Sequence, residues 1–133
     1  MSLGIYPVFQ PRLRGTKFEA IGEMLALEYQ ALDRIAVANG LTLFTAFADN
    51  RTVPNDFDGS PNDLKELLGP SDQWFDANEG KIAFRALANL IKSDVRAAKE
   101  FESPDAVVAE LEELVRVLTV ANDQAARFRL EMS

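Results

Sequence analysis

Carboxylates crowd one stretch of this chain. Residues 47–63 read FADNRTVPNDFDGSPND, with Asp49, Asp56, Asp58 and Asp63 close together and Arg51 among them. Clustered carboxylates can hold a hard cation, or tune one another for proton transfer. The calcium option can be tested by register. An EF-hand loop starts with Asp, carries Gly at its sixth place and ends with Glu at its twelfth. Setting Gly59 sixth puts Asp58 fifth and Asp56 third, but also Pro54 first and Lys65 last. Both anchoring ligands are missing, so the motif fails and no metal site is assigned.

Local turn chemistry accounts for much of the same stretch. Asp and Asn side chains fold back onto nearby backbone, Pro54 fixes a bend, and Gly59 tolerates positive φ. Asp49-Asn50-Arg51 is left over, directly after an apolar run. Polar residues at the end of a buried element are a common position for a site. Asp49, Arg51, Asp56, Asp58 and Trp74 are therefore the candidate ligand-binding residues. The competing reading is an Asp–Arg pair that fixes a loop, with Trp74 plugging the edge of the core.

A second constellation is cationic. Arg12, Arg14 and Lys17 follow an N-terminal apolar run, and Arg127 and Arg129 share one face of a C-terminal run. If the two runs are neighbouring strands, these charges gather into a patch for an anion or an acidic stretch of a partner. The competing reading is pairing with glutamates on the helices and charge protection of a sheet edge.

Much other chemistry is struck out. The chain has no histidine and no cysteine. That removes the Ser–His–Asp triad, the Cys–His dyad, His- or Cys-ligated metals and disulfides. Neither GxxxxGK[ST], GxGxxG nor GxSxG occurs, so nucleotide and hydrolase chemistry of those kinds has no support. No residue set qualifies as catalytic, and no cofactor is implied.

The net charge of −7 repels phosphate backbones and anionic membranes and favours a basic partner. No apolar run approaches the roughly 20 residues that span a bilayer, and nothing reads as a secretory leader. The expected setting is cytoplasmic, without nucleic acid or membrane as partner.

The elements that must position these residues follow from patterning. At 133 residues, with 47% hydrophobic and 26% charged, the chain suits one compact domain over 1–133. GIYPVFQ over 4–10 predicts a strand, and Pro7 places it at an edge. Thr16 with Glu19 has the form of a capping box and predicts a helix from there to Gly40, its stripe including Phe18, Ile21, Leu25, Tyr29, Leu32 and Ile35. Gly22 beside that stripe predicts a close approach. LTLFTAFA over 41–48 predicts a buried central strand.

Ser60-Pro61 starts a helix that Gly69-Pro70 ends. Asp76 with Glu79 starts another, DVRAAKEF forms a short helical piece, and Ser103-Pro104 opens the last helix. That helix has Val107, Leu111, Leu114, Leu118 and Ala121 facing a core, and its Glu110, Glu112 and Glu113 read as a solvated or partner-binding face. RFRLEM alternates apolar and charged and predicts a C-terminal strand. The sum is an α+β fold: about three strands (N-terminal, central and C-terminal) with four or five helices on one face.

The order WF-D-x-x-x-G, an apolar helix, S-P-D…ELEELVRVL and a closing RFRLEMS resembles small bacterial cytosolic proteins of unassigned function. It rests on Trp74, Phe75, Asp76, Gly80, Leu111, Glu112 and Phe128. The resemblance implies no activity and no site residue.

Two functional expectations follow. One is a non-catalytic, acidic protein-interaction or regulatory domain, of inhibitor, immunity or accessory-subunit type. The other is a small-ligand-binding or carboxylate-based enzymatic domain with a cleft near residues 49–58. A symmetric homodimer is compatible with either.

Overall fold

The computed structural model describes residues 3–48 and 73–132. The helix expected over 60–69 lies outside them. Strand β1 spans Ile5–Gln10, β2 Phe75–Asp76 and β3 Arg127–Met132. They form one antiparallel sheet in the order β1-β3-β2. Four α-helices are described: α1 Glu23–Asn39, α2 Ala77–Ser93, α3 Val95–Ala98 and α4 Pro104–Asp123. The fold is α+β.

The C-terminal strand is the middle strand, paired with β1 on one side and β2 on the other. Phe128 and Leu130 are buried, while Arg127, Arg129 and Glu131 face the other way. Pairing runs from Ile5 opposite Met132 to Gln10 opposite Arg127. On the far side Phe75 lies opposite Phe128.

Strand β1 is an edge, as Pro7 requires. Its Ile5 N–H donates to the Gly22 carbonyl at 3.0 Å, away from β3. Backbone direction alternates along an antiparallel pair, so Pro7, two residues on, also faces outward. Its missing N–H costs the ladder nothing there.

Two expectations are corrected. Residues 41–48 are not a strand. Phe44–Phe47 is a single 3-10 turn, and its three-residue period puts Phe44 and Phe47 on the same side. Both are buried. Phe44 packs on Phe84 with centroids 5.4 Å apart, and Phe47 meets Phe84, Phe128 and Phe75 at 5.3, 5.5 and 5.7 Å. Such ring pairs add about 0.5–1.5 kcal/mol each beyond burial. The Asp33 carboxylate holds the turn by accepting from the Thr45 N–H and Oγ at 3.2 and 2.6 Å.

Helix α1 does not begin at Thr16. It begins at Glu23, behind Gly22 at φ 78°. A Cβ on Gly22 would lie 1.9 Å from the Ile5 carbonyl oxygen, so the chain passes the edge of β1 too closely for any other residue. That is the close approach the sequence predicts. Leu25, Leu32, Ile35 and Ala36 are buried as expected, but Ile21 is 73% exposed.

The remaining elements follow the sequence. Asp76 caps α2 by accepting from the Glu79 N–H at 3.0 Å. Gly40 ends α1 in the left-handed region. Helix α4 starts at Pro104, although the Ser103 side chain makes no cap bond. The stripe Val107, Leu111, Leu114, Leu118 and Ala121 is fully buried. Helices α2 and α4 pack along their lengths. Gly80 lets α2 approach the sheet: a Cβ there would meet the Phe128 ring at 2.3 Å.

Candidate functional site

Helix burial on one face of the sheet defines the other. Tyr6, Val8 and Gln10 on β1 share that outer face with Arg127, Arg129 and Glu131 on β3, by cross-strand register. Extending the β2 register by one residue places Trp74 opposite Arg129. The Arg129 guanidinium lies 4.4 Å from the centroid of the Trp74 ring and also pairs with Glu131 at 3.0 Å. Tyr6, Val8, Trp74 and Arg129 are half-buried, and Arg127 and Gln10 are exposed. Trp74 stands outside the core cluster. It is a platform for arginine rather than a plug.

The five cations expected to form one patch are placed as follows. Arg127 and Arg129 stand on the outer face. Arg12 and Lys17 line a groove of about 300 Å³ beside β1, with Pro7, Val8, Phe9, Leu13, Thr16 and Phe18. Arg14 does not line it. Its backbone is held by the Gln124 amide, which donates to the Arg14 carbonyl at 2.8 Å and accepts from its N–H at 3.0 Å.

Helix α4 fixes the whole segment between β1 and α1. Arg116 donates to Thr16 Oγ1 and the Lys17 carbonyl at 3.0 and 2.8 Å. The Glu113 carboxylate accepts from the Glu19 N–H at 2.7 Å. Glu110 accepts from the N–H groups of Gly22 and Leu25 at 3.1 and 3.0 Å. Glu113 and Arg116 also pair with each other at 2.7 Å. The Arg116 hydrogen bonds hold the Glu113 carboxyl below the usual carboxylate range, against the opposing effect of burial, with help from the Glu19 N–H. The glutamates that read as a solvated or partner-binding face are thus divided. Glu110 and Glu113 are structural, and Glu112 forms a half-exposed pair with Lys92.

A second cavity opens at the other end of the sheet. It holds about 330 Å³ between Ile5, Tyr29, Phe44, Thr45, Ala48 and the end of β3 at Leu130, Glu131 and Met132. The sequence reading anticipated a cleft near residues 49–58 but none of these lining residues. Their only signal was the apolar character of 41–48, read there as a strand.

Asp49, Arg51, Asp56 and Asp58 lie outside the described residues. Among the described residues, no group of three or more acidic side chains is placed to hold a metal ion, and no helix is long and apolar enough to cross a membrane. Compared with protein-family models, curated proteins and solved structures, the chain finds no match.

Proposed function

We propose that this domain works by binding another protein rather than by catalysis, and that the outer face of its sheet is the contact surface. The observation that carries this is the composition of that face. Tyr6, Val8, Trp74, Arg127 and Arg129 share one face of the antiparallel sheet, with Trp74 and Arg129 already stacked. Trp, Tyr and Arg are the residue types that concentrate binding energy at interfaces. Local charge, more than the net charge of the chain, sets the partner: Arg127, exposed and in no ion pair among the described residues, favours a protein that brings carboxylates.

Site-specific photocrosslinking in cells tests the reading. A photoreactive phenylalanine analogue at position 6 or 8 is expected to trap the same partner, and W74A/R127E is expected to abolish the adduct. The same analogue at position 27, on the exposed side of α1, serves as control. Adducts from position 27 alone, or none from 6 and 8, would remove the outer face as the interface.

A second reading is favoured by the cleft at Ala48. Its volume of about 330 Å³ falls within the range of small-molecule sites, about 300–1,000 Å³. It lies immediately before Asp49 in the chain, so a ligand there would adjoin the carboxylate-rich stretch in sequence. A thermal-shift screen of metabolites would support it through a hit that is lost when Ala48→Trp fills the space. A blank screen would leave the interaction reading alone.

A further inference from the structure

We propose that the groove beside β1 receives an acidic linear segment of the partner, with one apolar side chain seated between Leu13 and Phe18 and carboxylates facing Arg12 and Lys17. This rests on the interaction reading and names the part of the partner that is recognised.

Three observations carry it. First, the groove has apolar walls and a cationic rim. Phe9, Leu13 and Phe18 are half-buried along it, and Arg12 and Lys17 are exposed at its border. Four described cations are engaged: Arg34 with Glu100, Lys92 with Glu112, Arg116 with Glu113 and Arg129 with Glu131; Arg12 and Lys17 differ from the remaining unpaired ones in bordering an apolar groove. Arg12 and Lys17 form no ion pair among the described residues. On a chain of net charge −7, two cations around an apolar slot, with no acidic partner among the described residues, select a ligand that is both acidic and apolar.

Second, the wall is preorganised. The segment carrying Arg12, Leu13, Lys17 and Phe18 is tied to α4 and the turn after it through Gln124, Arg116 and Glu113. A surface held in one geometry loses little freedom on binding.

Third, the free edge of β1 runs along the groove. The alternation that turns Ile5 and Pro7 outward also turns the Phe9 N–H and C=O toward that edge. An extended segment lying there gains a main-chain anchor at Phe9, while Pro7 and the occupied Ile5 N–H prevent a longer strand from adding. The geometry therefore selects a short segment.

The test uses the full chain and labelled peptides, read by fluorescence anisotropy at about 50 mM salt, where surface charge is weakly screened. The probe is Glu-Asp-Glu-Phe-Asp-Glu. Its controls replace every acid by its amide, or the Phe by Ser. The acidic-apolar peptide is expected to bind at least roughly tenfold more tightly than either control, and R12E/K17E to weaken it by roughly tenfold or more. R96E, an exposed arginine elsewhere, is expected to leave it unchanged. Arg12 and Lys17 are exposed, and circular dichroism melting checks that the variant stays folded.

No saturable binding overturns the proposal. So does equal binding of the amide control, or indifference to R12E/K17E. Equal competition by single-stranded DNA or polyphosphate would reassign the groove to polyanions and also overturn it. Loss with W74A/R127E but not with R12E/K17E would sink the groove and leave the outer-face reading standing. The opposite pattern is the one expected for a segment seated in the groove, and it leaves the outer face to the crosslinking test.

Discussion

Glu110 on α4 accepts a hydrogen bond from the Leu25 N–H at 3.0 Å and so caps the first turn of α1 from another helix. A second bond, from the Gly22 N–H, completes the cap. Gly22 itself has no side chain to offer. The expected cost of Glu110→Ala is about 1–2 kcal/mol, the usual price of losing an N-cap side chain. Glu112→Ala, which removes only a half-exposed pair with Lys92, is expected to cost less than about 1 kcal/mol. Urea unfolding of the two variants measures the contrast. Equal losses would mean that Glu110 does not act as a cap.

Gly22 and Gly40 share a left-handed backbone but not its surroundings. Both have positive φ, at 78° and 68°. A Cβ at Gly40 meets nothing within 4 Å, whereas one at Gly22 strikes the Ile5 backbone. Gly40→Ala is therefore expected to cost about 1–2 kcal/mol, the backbone term alone. Gly22→Ala adds an overlap with main chain that cannot rotate away, and should cost about 3 kcal/mol or more. A Gly22→Ala protein as stable as Gly40→Ala would show that β1 can shift away from α1.

The Glu113–Arg116 pair gives acid unfolding a defined component. The folded-state pKa of Glu113 is lowered, first by the Arg116 hydrogen bonds. A carboxyl with a depressed folded pKa contributes stability above its unfolded pKa and loses it as pH falls through the folded one. The loss is thus expected below about pH 4, with little change from there to neutrality. Glu113→Gln removes that titration. Its stability should be lower than wild type at neutral pH, and the gap should close as the solution is acidified. A constant gap from neutral to acid pH would mean that Glu113 is not ionised in the tie between α4 and the segment before α1.

How far the sequence was legible depended on range. Strand β3 was plain in RFRLEM because alternation is local, and its burial follows the pattern from Arg127 to Glu131, with the terminal Met132 exposed against it. The same holds for the cap at Asp76 and the stripe of α4. The 41–48 stretch was misleading because an apolar run supports more than one period. Its two phenylalanines, three residues apart, fit a 3-10 turn as well as a buried strand. Thr16 and Glu19 had the letters of a capping box, but their partners are Arg116 and Glu113, about a hundred residues away. The role of Glu110 was equally hidden, since nothing near it in sequence needs a cap. Of the candidate site, the cations Arg12 and Lys17 were visible as types. The groove that joins them to Leu13 and Phe18 exists only once β1 and α4 are in place.

The turn from α4 into β3 offers a gain in stability. Helix α4 ends with the Ala126 N–H donating to the Ala121 carbonyl at 2.8 Å, the long bond of a Schellman-type stop. The residue that makes this turn is Ala125, the one described non-glycine residue with positive φ, at 56°. A left-handed backbone crowds a Cβ against its own carbonyl by about 1–2 kcal/mol, and glycine escapes this. Glycine also frees the unfolded chain, which offsets up to about 1 kcal/mol of the gain. Ala125→Gly is therefore expected to be neutral to stabilising, by up to about 1 kcal/mol, even though it removes a methyl group and adds backbone freedom. Ala125 is exposed, so no packing is lost. Thermal unfolding decides it. A clear fall in melting temperature would mean that Ala125 is not left-handed in solution, and the register that sets Arg127 and Arg129 on the outer face would need to be redrawn from that turn onward.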